Sequence, residues 1–328
     1  MPERNIYITA SIACAVIITG IILYSVFLGS PGGNVGINQF IVGRNQTSVS
    51  SVISALKSRG FIKSEWAFNL LIHLRGLRSI APGGYDISNS MNAWDIAGVL
   101  SKKPTSVWVV IPEGLRKEEI ADILSQNLGW TNAQKTEWIT KDTSTDPNYS
   151  EGVYFPDTYL IPVGETPLQT ANRLRANFEE KFAPYSKEAS VKNIKWTTAL
   201  TLASIIQREA DGTSDMALIS GILWNRLLAS PPMKLQVDST VQYVRGNSGA
   251  GWWAPIAIAD EKINSPYNTY LHSGLPPHPI CNPGVEAIKA ALSPETTSCL
   301  YYIHDSSGVI HCSATYQGQQ QNIQKYLK

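Results

Sequence analysis

The sequence predicts an α+β protein in which a single N-terminal transmembrane helix precedes a βα lobe and then a mixed α+β domain. Three observations carry this expectation. An uncharged apolar run occupies Ile6–Leu28. Beyond it, short β-branched runs alternate with segments of helical period. One of those helical segments sets a carboxylate, Glu209, on its apolar side.

Only the hydroxyls of Thr9, Ser11, Thr19 and Ser25 interrupt the N-terminal run, and those can bond back to helix carbonyls. About 20 apolar residues cross a bilayer core, so the run is long enough to span. A cleavable signal peptide has a shorter apolar region and a small-x-small cleavage site, and Val26-Phe-Leu-Gly-Ser30 offers no such site. Arg4 and the α-amino group, against Glu3, orient residues 1–5 to the cytoplasm. The expected organisation is a tail over 1–5, a membrane span over 6–28 and a flexible Gly-rich linker over 29–36. An α+β lobe over 37–150 and a second α+β domain over 151–328 follow, both outside the cytoplasmic membrane.

The chain has 328 residues and a formal net charge of +1 with the signs mixed, which gives no basic stripe for nucleic acid. Its nine Trp and fourteen Tyr suit core packing and also sugar faces. The four cysteines, Cys14, Cys281, Cys299 and Cys312, contain no C-x-x-C pair. Cys14 lies in the apolar run. The other three suffice for one disulfide in an oxidising compartment, and the sequence does not choose the pair.

In the lobe, Gln39–Val42 reads as a strand. Ser48–Arg59 follows as a helix with Val49, Val52, Ile53 and Leu56 on one face and Gly60 as its stop. Val107–Ile111, the turn Pro112-Glu-Gly114 and the helix Lys117–Gln126 repeat that order, so the two segments read as related βα modules. Lys141–Ser150 is polar and reads as a loop. The second domain is expected to hold helices over Pro167–Phe182, Trp196–Ala210 and Asp215–Leu228. A hairpin of Leu300–His304 with Val309–Cys312 and a short terminal helix close it.

On the helix from Trp196, residues Ala199, Leu202 and Ile206 form one stripe, and Glu209 continues it. An inward carboxylate is expensive unless partnered and tends to keep its proton, which a general acid requires. The residues alone leave a second reading, an Arg partner or a helix-end cap. On the next helix Leu218 and Ile222 define an inward stripe that Asn225 continues. In Lys234–Tyr243, Gln236, Asp238 and Thr240 alternate with Leu235, Val237 and Val241, the pattern of three polar groups on one face of an extended segment. His304, His311 and Cys312 lack a fourth metal ligand at suitable spacing, so no metal and no cofactor are expected.

These segments resemble the endolytic murein transglycosylase, or YceG-like, family. The resemblance covers nearly all of the chain after the apolar run. It rests on Glu151-Gly-Val-Tyr-Phe-Pro-Asp-Thr-Tyr159, Ala203-Ser-Ile-Ile-Gln-Arg-Glu209, Trp224-Asn-Arg-Leu227 and Met233-Lys-Leu-Gln-Val-Asp-Ser-Thr-Val241, followed by Tyr267-Asn-Thr-Tyr270, Gly274-Leu-Pro-Pro277 and Asn282-Pro-Gly284. The family's usual A-S-I-V-E-K-E ends on its catalytic Glu, which falls on Glu209, while its earlier Glu is Gln207 here. The usual D-P-T is Asp238-Ser239-Thr240, and His278 replaces a small residue after G-L-P-P.

The resemblance implies a single-pass anchor, a LysM-like lobe that binds N-acetylated glycans, and an extracytoplasmic catalytic domain. It also implies cleavage of the β-1,4 bond between N-acetylmuramic acid and N-acetylglucosamine in peptidoglycan, with a 1,6-anhydro ring formed on the muramoyl residue. Glu209 would be the acid and then the base. Gln236, Asp238, Thr240, Tyr243, Asn225, Tyr267 and Asn268 would contact the sugar. The expected partners are glycan strands, the membrane and the cell-wall synthesis machinery. A muramidase that hydrolyses the same bond with Asp238 as base, and a tethered glycan-binding protein without activity, are the competing readings.

Overall fold

The computed structural model describes residues 2–33, 36–144 and 150–327. The chain divides into two compact units, Met1–Val109 with Tyr159–Glu165, and Val110–Thr158 with Thr166–Lys328.

The first unit begins with α1 (Pro2–Phe27), of which Tyr7–Phe27 is long and apolar enough to cross a membrane and has no burial inside the protein. The sequence predicts a free tether after it. Instead, Leu28 packs on the lobe core and its carbonyl accepts Ala93 N, while Ser30 Oγ donates to Asn89 O. Asn34 and Val35 of the predicted linker lie outside the described residues.

Strand β1 (Asn38–Val42) turns Phe40 and Val42 inward. Helix α2 (Val49–Ser58) starts where Ser48 accepts Ser51 N, and α3 (Glu65–Leu74) where Ser64 accepts Ala67 N. Strand β2 (Gly83–Ile87) returns antiparallel to β1 with Phe40 opposite Tyr85. Helix α4 (Ala93–Leu100) begins in a capping box of Asn92 and Asp95. Strands β3 (Ser106–Val110) and β4 (Thr158–Pro162) complete a sheet of order β1-β2-β3-β4. The strands of the two predicted βα segments, β1 and β3, thus lie in one sheet. The core gathers Phe40, Leu56, Phe68, Ile72, Tyr85, Ile87 and Ile96.

The second unit carries α5 (Lys117–Leu128), stopped by Gly129 in the left-handed region, and α6 (Asn132–Glu137). The predicted loop over Lys141–Ser150 starts inside a π-helical turn, Trp138–Asp142, whose Trp138 is fully buried. Residues 145–149 lie outside the described residues. Helix α7 (Pro167–Val191) runs past the predicted end at Phe182 and through Pro184, which costs one helical bond. Burial of Phe178, Phe182 and Ala189, with both phenylalanines against Trp196, holds it together. Next come α8 (Trp196–Glu209), α9 (Met216–Leu228), α10 (Asp238–Arg245) and α11 (Val285–Leu292), with α11 packed on α7, α8 and α9. The hairpin β5 (Tyr301–His304) and β6 (Ile310–Ser313) lies as predicted, and α12 (Tyr316–Tyr326) closes the chain.

Candidate active site

Helix α8 buries Ala199, Leu202 and Ile206 completely, and Glu209 ends the helix on their stripe, half in solvent. Both oxygens of Glu209 are occupied. Ser239 Oγ donates to Oε1 at 2.6 Å and Tyr302 OH donates to Oε2 at 2.6 Å. Tyr302 is half-buried, and loss of solvent around its hydroxyl, followed by the Glu209 charge, pushes its phenol well above the ordinary range. Its proton stays on the phenol. The neighbouring polar residues point elsewhere. Gln207 Oε1 accepts Gly284 N at 2.9 Å, and the Arg208 guanidinium lies over the Trp253 ring at 4.0 Å. Gln207 is thus spent on the start of α11.

Immediately after α8, the carboxylate of buried Asp215 accepts Asp211 N and Gly212 N, and it meets His304 Nε2 at 2.7 Å. His311 pairs in the same way with Asp305 at 2.7 Å. Cys312 is bonded to Cys299, and Cys281 is free and buried. The residues that raised a metal question therefore have carboxylates or sulfur as partners.

On α9 the inward stripe is rotated by one residue from the prediction. Ile219, Ile222, Leu223 and Arg226 are buried, and Leu218 and Asn225 are half-buried. Arg226 Nε donates to Leu300 O at 2.6 Å, and its Nη1 donates to Leu235 O. Burial lowers the Arg226 guanidinium, opposed by Tyr302, Tyr301 and Glu209. Asn225 Nδ2 donates to Thr297 O at 2.8 Å and Cys299 O at 3.0 Å, so it holds the approach to β5.

The segment predicted as extended over Lys234–Tyr243 is irregular up to Val237, and α10 begins at Asp238. Gln236 takes a left-handed φ of 48°. Thr240 Oγ1 donates to Val237 O at 2.8 Å and shares a hydrogen bond with Thr269. Val237 and Val241, four residues apart and both buried, suit a helix as well as the alternation suits a strand. In consequence the three polar residues do not line one face. Gln236 and Asp238 are exposed, and Thr240 is fully buried.

Asp238 Oδ1 accepts Tyr270 OH at 2.5 Å, and burial, followed by that hydrogen bond, raises the Tyr270 phenol. Tyr243 and Tyr267 lie with ring centres 5.0 Å apart, and burial, with the Glu151 charge behind it, pushes Tyr267 up to about 12. The Arg116 guanidinium covers Tyr243 at 4.2 Å and Trp252 at 4.5 Å, and its Nη1 donates to Tyr243 O at 2.8 Å. Asn268 is fully buried, with its Nδ2 donating to Glu261 O and Ile263 O.

Three residues were missed as partners in this region. In the sequence Ser239 stands out only as a departure from D-P-T. Tyr302 sat in the predicted hairpin with nothing to relate it to α8. Glu151 is 1 % exposed, accepts Lys117 N at 3.2 Å and Asn282 Nδ2 at 2.7 Å, and is raised to about 8 by burial and then by Glu118. A cavity of about 620 Å³ lined by Ile194, Trp224, Leu228, Leu292 and Pro294 holds none of these carboxyls, so chemistry and not volume locates the site.

The sequence pattern of the YceG-like family matches residues 42–325. A Bacillus subtilis (strain 168) protein named endolytic murein transglycosylase is 28 % identical over 306 residues, which are 86 % of this chain and 82 % of that one. A Streptococcus pneumoniae (strain D39) protein of the same name is 24 % identical over 315 residues, which span 86 % of this chain and only 57 % of its relative. The 2.6 Å crystal structure of a YceG-like protein from Listeria monocytogenes superposes with a TM-score of 0.58 at 25 % identity, covering 87 % of this chain and 99 % of that one. Since the family pattern extends over most of the chain and takes in α8, α10 and the C-terminal hairpin, this protein belongs to the YceG-like family.

Proposed function

We propose that this chain is an endolytic peptidoglycan lytic transglycosylase, with Glu209 as its acid and then its base. The observation that carries the reading is the placement of Glu209, a half-open carboxylate at the end of α8 with a hydroxyl on each oxygen. The names of the Bacillus and Streptococcus relatives support the same activity.

In the first step a proton on Glu209 passes to the glycosidic oxygen as the bond from that oxygen to the muramoyl anomeric carbon breaks. Positive charge builds on the ring in an oxocarbenium-like transition state. In the second step the muramoyl C6 hydroxyl attacks the anomeric carbon and its proton returns to Glu209. The nucleophile belongs to the substrate, so one carboxyl suffices and the enzyme ends as it began. Gln236, Asp238, Tyr243 and Tyr267 are the residues we assign to sugar contact. Asn225, Thr240 and Asn268 act behind them by holding the segments that carry the site.

The first unit is read as the LysM-like, glycan-binding part. Its β1-α2-α3-β2 order with an antiparallel strand pair supports that reading. Helix α1 is read as a membrane anchor with the site outside the cytoplasm, where nascent strands and the machinery that makes them are met. The test is mass spectrometry of fragments released from peptidoglycan by the full-length protein in detergent. Muramoyl ends lighter than reducing ends by one water, from cuts inside the strand, are expected. Ordinary reducing ends would mean that water is the nucleophile and would overturn the lytic mechanism.

A further inference from the structure

Resting on the assignment of Glu209, we infer that Ser239 and Tyr302 are positioning residues of the reaction, two hydroxyls that grip the acid–base carboxylate by one oxygen each. The two donors come from separate parts of the second unit. Ser239 lies in the first turn of α10, 30 residues from Glu209 in sequence, and Tyr302 lies on β5, 93 residues away. Both contacts are 2.6 Å, in the range of a hydroxyl donating to a charged oxygen.

Each hydroxyl is itself held. Ser239 is buried at the start of a helix whose next residue, Thr240, bonds to Val237 O and to Thr269. Tyr302 is carried by a hairpin pinned on several sides. The Cys299–Cys312 disulfide crosses its base, Arg226 Nε bonds Leu300 O, Asn225 Nδ2 bonds Thr297 O and Cys299 O, and His304 meets Asp215. A tyrosine hydroxyl turned away from water needs a partner in any case. Two hydroxyls converging on opposite oxygens of one carboxylate do more, because they fix the plane of the carboxyl and not merely its distance.

The two hydroxyls divide the work. Tyr302 keeps its proton and stays a donor to Oε2 throughout. A serine hydroxyl donates or accepts by rotation, so Ser239 can accept from a protonated Oε1 in the free enzyme and, once the glycosidic oxygen becomes the acceptor of that proton, turn to donate to Oε1. Oε1 is then the oxygen that gives its proton to the glycosidic oxygen and takes one from the C6 hydroxyl. Arg226 and Tyr270 also interact electrostatically with this carboxylate, and neither is altered in the test below.

The test is the pH profile of kcat/KM for release of anhydro-muramoyl ends, measured on the full-length protein and on Tyr302→Phe, Ser239→Ala and Ser239→Thr. Hydrogen bonds to a carboxylate favour its charged form. Without a donor the carboxyl keeps its proton to higher pH, and an acid catalyst works while protonated. Tyr302→Phe is therefore expected to move the alkaline limb upward by about one pH unit. It should lower kcat about tenfold, a modest share of what a hydrogen bond to a charged group is worth, with KM little changed. Ser239→Ala should act in the same direction, and Ser239→Thr, which keeps a hydroxyl, should restore the limb. Circular dichroism melting accompanies each variant. An unmoved limb in variants that fold overturns the proposal. Should Tyr302→Phe fail to fold, the Ala and Thr variants at Ser239 decide on their own: a limb that moves in Ala and returns in Thr supports it, and one that ignores the hydroxyl refutes it. Failure of the Glu209 assignment looks different, because Glu209→Gln would then cleave at the wild-type rate.

Discussion

Glu209 ends a helix half in solvent with a hydroxyl on each oxygen, whereas Glu151, in the same unit, is 1 % exposed and bonded by a backbone amide and the Asn282 side chain. Burial pushes Glu151 to about 8. By the ordinary argument for a general acid, a carboxyl shut from water that holds its proton, Glu151 is the better match. It has no face on which a sugar could lie. The contrast separates two requirements that sequence reasoning runs together. Burial helps a carboxyl to hold a proton, while delivering one needs a carboxyl that a sugar can reach and whose other contacts are fixed. Glu209 has the open geometry. Glu151 instead ties the start of α5 to Asn282, which also accepts Tyr154 N and donates to Leu115 O.

The comparison breaks most sharply at Glu209. Glu209→Gln keeps the shape and the hydroxyl contacts but has no proton to pass, so the rate of anhydro-end formation should fall by about 10³-fold with the melting temperature nearly unchanged. Cleavage at an undiminished rate would remove Glu209 from the mechanism. Glu151→Gln should do the reverse, leaving the chemistry in place and changing stability. The folded-state value of about 8 lies above the ordinary carboxylate value of 4.5, so the fold favours the protonated form. That contribution is full below the ordinary range and is lost as pH rises toward about 8. Between the two protonation states it amounts to a few kcal/mol. In Glu151→Gln the decline in stability from about pH 5 to about pH 9 should flatten, leaving the variant more stable than the parent at the alkaline end. Parallel pH–stability curves for the two proteins would show that Glu151 does not titrate in the fold.

How far the sequence could reach follows from the same two residues. Helix α1 and the stripe ending at Glu209 were legible because each is a long local pattern, an uncharged run in one case and a spacing of three and four in the other. Helix α10 was not, because a strand and a short helix share the alternation of Leu235, Val237 and Val241, and a threonine bond to Val237 O decides between them. Strand β2 was hidden by Gly83 and Gly84, which argue against a strand until their neighbours are seen: a side chain at Gly83 would meet Ser106 O at 2.5 Å. The partners of the two glutamates lay furthest out of reach. Tyr302 is 93 residues from Glu209 and Asn282 is 131 from Glu151, and no local periodicity links such pairs.

A smaller effect is expected where the fold supports Tyr302. The Cys299–Cys312 disulfide closes a sequence separation of 13, for which loop-closure entropy is worth about 3 kcal/mol or less. Paired Cys299→Ser and Cys312→Ser should lower the melting temperature and, by loosening β5, reduce kcat severalfold, while the sheet of the first unit keeps its hydrogen-exchange protection. Loss of stability with a full kcat would show that the other ties to the hairpin suffice to hold Tyr302.

The smallest effect is expected at Asp238, and it sharpens what kind of carboxylate the reaction requires. Asp238 is exposed and accepts Tyr270 OH at 2.5 Å, and it is the carboxylate that the sequence offers as a second acid–base group. If water were the nucleophile, Asp238 would have to take its proton, and Asp238→Asn would then abolish cleavage. In the intramolecular mechanism the C6 hydroxyl gives its proton to Glu209, and Asp238 only orients. Asparagine keeps an oxygen that accepts from Tyr270, so the local geometry survives the loss of charge. Asp238→Asn should therefore stay within about tenfold of the parent rate, with KM carrying most of the change and every new muramoyl end still anhydro. A collapse of activity, or a shift of products toward reducing ends, would put a second carboxylate into the chemistry and end the account in which Glu209 serves alone.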